Sequence, residues 1–150
     1  MKPTPQLFIS SLTTKAAADL TTAVEALPEE KRAWQPLDKG RSALDQAAEC
    51  AILNGFTVQL INSRVFPSDF SYEAFTASKE ALAANWDAVK AELEANTAAV
   101  VAAIETVSDD DLAIEIDMPW GRHTMGQIMA YPYWNMSYHE GQVNFIASLL

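Results

Sequence analysis

Little in this chain of 150 residues invites cross-linking, membrane insertion or binding to a polyanion. It holds one cysteine, Cys50, which excludes an internal disulfide and fits a reducing compartment. Long apolar runs are missing as well. The longest, Ala98 to Ile104, is far shorter than the ~20 residues that a membrane-spanning helix needs. Pro3 and Pro5 interrupt the amino-terminal stretch, and Leu7, Phe8 and Ile9 are too short a cluster for a signal-peptide core. The expected location is therefore cytoplasmic. Basic side chains are scarce, 10 Lys and Arg against 20 Asp and Glu, for a formal net charge of -10. Such a charge repels nucleic acid and anionic lipid from the molecule as a whole, so the expected partners are small molecules or proteins, with no nucleic acid and no membrane.

What is present is helical periodicity. Leu7, Leu12, Ala16, Leu20, Ala23, Val24 and Leu27 recur at helical spacing over about 6–27, with threonines on the other face. Pro28, Glu29 and Glu30 suit the first turn of a short separate helix, and Trp34 to Leu37 form a connector that Gly40 closes. Ser42 is an N-cap, so a second helix is expected from there to about Val65. Pro67, Ser68, Asp69 and Ser71 break the pattern. Phe75, Leu82, Trp86, Val89, Leu93, Val100 and Ile104 then predict one long third helix from Tyr72 to about Val107, with Lys79 to Glu94 supplying a solvated face. Ile114, Ile116 and Met118 alternate like a short strand, and Pro119-Trp120-Gly121 turns the chain. Thr124 and Gln127 have the form of a capping box, so the fourth helix starts near Met125, and Pro132 predicts a local bend in it. These elements predict an all-α fold, a single four-helix bundle domain over 1–150 with a long crossover and a short extended segment before the last helix.

Polar side chains on apolar faces mark the candidate site. Glu49 shares the face of Ile52, Leu53, Phe56 and Leu60 on the second helix, where a carboxylate needs a cation, a hydrogen-bond donor or a raised pKa. On the last helix Asn135, His139 and Gln142 interrupt the stripe of Ile128, Val143 and Ile146. Either a ligand site between helices or a hydrogen-bonded core cluster supplies the partners that such groups need. Cys50 points elsewhere as a small buried thiol, and His123 is expected in a peripheral loop. Tyr133, Trp134 and Tyr138 are either pocket walls or core and interface residues.

The segment Arg41 to Glu49 resembles the second-helix segment of the DinB family, in which a metal-binding histidine stands seven residues after the serine that opens the helix. Glu49 occupies that place. The segment Asn135 to Val143 resembles the family's closing motif, His-x-x-x-His-x-Gly-Gln followed by an aliphatic residue. His139, Gly141 and Gln142 match it, and Asn135 replaces the first histidine. The resemblance implies a four-helix bundle, usually dimeric, with a divalent metal held by three side chains, here Glu49, Asn135 and His139. It also implies relatives that use low-molecular-weight thiols. An amide is a poor zinc or nickel ligand, so the set shifts toward manganese or iron(II), or toward weakly held zinc with partial occupancy.

Two functions are expected from this. One is a divalent-metal-dependent thiol transferase or hydrolase acting on a small-molecule substrate, its metal bound weakly (zinc, nickel, manganese or iron). The alternative is a non-catalytic dimeric bundle, a binding or stress-response module that has lost its metal, in which Glu49, His139 and Asn135 form a polar plug. Trp34, Trp86, Trp120 and Trp134 exceed what a small core hides, which leads to the expectation of a homodimer.

Overall fold

Helix starts follow the capping residues. Thr4, Ser42, Ser71, Asn85 and Thr124 each accept a first-turn backbone N–H, and Thr124 with Gln127 closes a reciprocal capping box. In the computed structural model, which describes residues 3–150, these caps open α1 (Pro5–Glu25), α2 (Ala43–Ser63), α3 (Tyr72–Leu82), α4 (Trp86–Glu105) and α5 (Met125–Ser148). Between α4 and α5 an antiparallel hairpin pairs β1 (Glu115–Met118) with β2 (Gly121–Thr124), setting Ile116 opposite His123. The hairpin is the expected extended excursion, now with two strands. Gly121 has φ +131°, a turn conformation that side-chain-bearing residues rarely adopt.

Helices α1, α2, α4 and α5 form the bundle: α1 packs beside α4 and α5, and α2 packs beside the same two. The crossover from α2 to α4 contains α3, which rests on α2. Leu20, Val24, Val89, Leu93, Met136 and Val143 are fully buried in one half of the core. Ile104, Val100, Ile116, Met125 and Met129 fill the half nearer the hairpin.

Two local expectations need correcting. The single helix expected over about 72–107 divides at Ala83–Asn85, because Asn85 caps α4 through its side chain instead of continuing α3. The buried face of α1 is the expected one over Ala16, Leu20, Ala23 and Val24, but toward the amino terminus Thr13 is buried and Leu7 is 45% exposed. At its amino-terminal end this face carries Gln6, whose Nε2 donates to the Val107 carbonyl at 2.9 Å and to Asp109 at 3.0 Å. The last helix, α5, continues through Pro132, which is itself buried. Among the described residues no helix is long and apolar enough to cross a membrane.

Candidate functional site

The polar residues singled out on α2 and α5 face each other across the helix pair. His139 is 3% exposed, and its Nε2 lies 3.1 Å from Glu49 Oε1. Its Nδ1 lies 2.8 Å from Gln46 Oε1 and 2.9 Å from Gln142 Oε1, so both edges of the imidazole are engaged. The second carboxylate oxygen of Glu49 accepts from Arg41 Nη2 at 2.7 Å. Arg41 also pairs with Asp45, which in turn accepts from Lys79 Nζ on α3 at 2.8 Å. The result is a continuous chain of charge-assisted hydrogen bonds across three helices, from Lys79 through Asp45, Arg41 and Glu49 to His139.

Burial tends to raise the Glu49 carboxyl, but the His139 contact and the Arg41 charge outweigh it and hold the group below its ordinary value. Asp45 behaves alike: burial raises it, and Lys79 and Arg41 bring it down on balance. Glu49 is therefore an anion with both oxygens occupied.

Asn135 is also buried, at 3% exposure, but its side-chain amide donates to Cys50 Sγ at 3.5 Å. Cys50 thus does not point away from the site, as expected from sequence, but lies against Asn135. Burial, followed by the charge of Glu49, pushes its thiol well above the ordinary range. Lys79, assigned by sequence to a solvated face, is a member of the cluster, its side chain 15% exposed. Arg41 and Gln46 were missed as site residues. Gln46 precedes Glu49 by three and so shares its helix face, a signal that was present in the spacing.

This donor set fits a self-satisfied polar cluster and fits a resident divalent ion poorly. A cation bound through His139 Nε2 and Glu49 would displace their mutual contact and stand beside the Arg41 guanidinium, whose charge opposes it. Among the described residues no group of three or more His, Cys, Asp or Glu is placed to hold a metal ion.

One to two helical turns from the cluster, the same α2–α5 groove widens into a cavity of about 220 Å³ beneath the hairpin. Leu53, Phe56, Phe70, Trp120, Ile128 and Tyr131 form its apolar wall, and Thr57, His123 and Gln127 are its polar members. Tyr131 borders both regions. Burial and the nearby Glu49 and Cys50 push its phenol up to about 12, so it stays protonated. His123 lies on β2 and lines this cavity, so it is not peripheral. Trp134 and Tyr138, considered as pocket walls, instead lie exposed on α5, their rings stacked 5.6 Å apart. Tyr133 is half-buried against the core.

A family model described as the DinB superfamily matches residues 12–143. No curated protein matches the chain. Among solved structures, the colibactin self-resistance protein ClbS, in complex with a dsDNA, superposes with a TM-score of 0.72. It shares 17% sequence identity, over 97% of this chain and 96% of that one. ClbS overturns the exclusion of nucleic acid drawn above from net charge, because a protein of this fold is seen on double-stranded DNA. The physical error lies in the averaging. Beyond about 10 Å at ordinary salt the charges of a surface are screened from one another, so contact is decided by the local patch and not by the sum.

Proposed function

The chain belongs to the DinB superfamily, and on that footing we propose that it is a small-molecule-binding bundle, acting in the cytoplasm, whose metal position has become a polar plug. The observation that carries this reading is the double engagement of Glu49, with His139 at 3.1 Å on one oxygen and Arg41 at 2.7 Å on the other. An ion pair with this many partners is satisfied without a metal, and removing one partner leaves a costly uncompensated charge. The cavity beside it supplies the binding capacity. Such concave, mostly apolar spaces with a few polar groups are the usual form of small-molecule sites.

The contact between Glu49 and His139 on facing helices, with Asn135 one turn away on α5, favours a second reading. In it these three residues hold zinc, nickel, manganese or iron weakly, and the protein is a thiol transferase or hydrolase. A metal there would supply a nucleophile at neutral pH by acidifying a bound water or thiol.

Elemental analysis separates the two. Protein purified without added metal is expected to carry well under one ion per chain. Asn135→His restores a nitrogen donor and is expected to raise uptake, above all when combined with Arg41→Ala, and His139→Ala is expected to remove it. A full equivalent of metal in the unmodified protein would overturn the plug and establish the second reading's premise.

A further inference from the structure

We propose that the cavity between α2, α5 and the hairpin is a site for a neutral, single-ring aromatic ligand carrying one hydrogen-bonding substituent, which His123 receives. This deepens the binding-module reading and rests on it. Three observations select the ligand class. The first is size: about 220 Å³ exceeds the ~150 Å³ of an engineered apolar cavity that accepts benzene, leaving room for one ring with small substituents. The second is the character of the wall. Phe56, Phe70, Trp120 and Tyr131 offer ring faces and edges, and Leu53 and Ile128 close the helix side. Aromatic pairs gain beyond their buried area when ring centroids lie within several ångströms, as Phe56, Phe66 and Phe70 already do at 5.3–5.6 Å. No Asp, Glu, Lys or Arg is among the residues of the wall, so an ionised ligand would lose its hydration without recompense.

The third observation is a polar group that is both buried and unpaired. Of the polar members of the wall, Thr57 Oγ1 donates to the Leu53 carbonyl, and Gln127 Oε1 accepts the Thr124 amide. His123 Nε2 is closed to solvent and, among the described residues, has no hydrogen-bond partner, so a ligand hydroxyl in the cavity reaches it by a turn of the imidazole. Leaving such a group unpaired costs free energy that a ligand hydroxyl restores. The hairpin that carries His123 also brings Met118 and Trp120 to the same wall. The extended segment between α4 and α5 thus adds a further wall to the groove between the two helices.

Three probes that share a methylbenzene frame test this by isothermal titration calorimetry: p-cresol, toluene and p-toluate. p-Cresol is expected to bind one equivalent, about tenfold more tightly than toluene, the worth of one hydrogen bond, and p-toluate is expected not to compete. Leu53→Trp, which fills the cavity, is expected to abolish binding of both neutral probes while the circular dichroism spectrum stays helical. His123→Phe is expected to keep toluene and lose the preference for p-cresol. Equal affinity for the two neutral probes, competition by p-toluate, or a preference that survives His123→Phe would overturn the assignment. The metal assay is a separate readout. A protein that takes up a full equivalent of metal yet binds p-cresol as described refutes the metal-free plug alone, whereas a metal-free protein that binds none of the probes refutes the cavity assignment alone.

Discussion

Asp45 shows how a single carboxylate is made to serve two elements. It stands in the first turn of α2, where its backbone N–H donates to Ser42 Oγ at 3.1 Å, and its side chain ties Arg41 of the preceding connector to Lys79 of α3. Its carboxyl is held below the ordinary value, so the folded state releases its proton more readily than the unfolded chain does. The stabilisation is therefore complete above the unfolded value of about 3.9 and is lost as pH falls through the lower folded value. Thermal denaturation followed by circular dichroism should show the melting temperature dropping below about pH 4. In Asp45→Asn the protein should be less stable by about 2 kcal/mol at neutral pH, with a shallower acid limb. An unchanged acid limb would mean that the links to Arg41 and Lys79 contribute nothing. At this scale the sequence disclosed half of the site. Glu49, Asn135 and His139 stood out because polar groups on an apolar helical face need partners. The charged partners were hidden, since Arg41 lies before the helix and Lys79 is brought in only by the packing of α3 on α2.

Among the elements, the division of the expected third helix is the instructive departure. Leu82 and Trp86 stand four apart with Ala83, Ala84 and Asn85 between them, so the apolar period runs through the break and only Asn85 marks it. What ends the helix is Asn85, whose Oδ1 accepts the Ala88 amide at 3.1 Å and so competes with continuation. Replacing this cap with alanine should cost about 1 kcal/mol, measured as a shift of the urea midpoint, and should loosen amide protection first around Trp86 to Val89. Protection unchanged there would show that packing alone sets the start of α4. The other starts were legible for the opposite reason. Ser42 and Thr124 follow segments without helical pattern, so cap and periodicity agree. The amino-terminal half of α1 departs from expectation because polar Gln6 and Thr13 are buried there, Gln6 against Val107 and Asp109, neighbours distant in sequence that no local pattern announces.

For the molecule as a whole, the fold class followed from length and helical period, whereas the partner class did not follow from net charge. A sum of -10 says nothing of how Arg41 and Lys79 are enclosed in the cluster while Arg122, paired with Glu115 and Asp117, stays more than half exposed on the hairpin. The one thiol is likewise a property of the whole, because Cys50 is wholly enclosed by the packed helices and held protonated there. Two native molecules consequently have no sulfur to offer one another, and only chains that have opened do. In a mildly oxidising buffer each covalent dimer thus records an encounter between two opened chains, and its slow accumulation on a non-reducing gel counts excursions from the native state. That accumulation should rise steeply with temperature, as unfolding rates do. A stabilised variant would keep time more slowly, and a Cys50→Ala chain would leave no record at all.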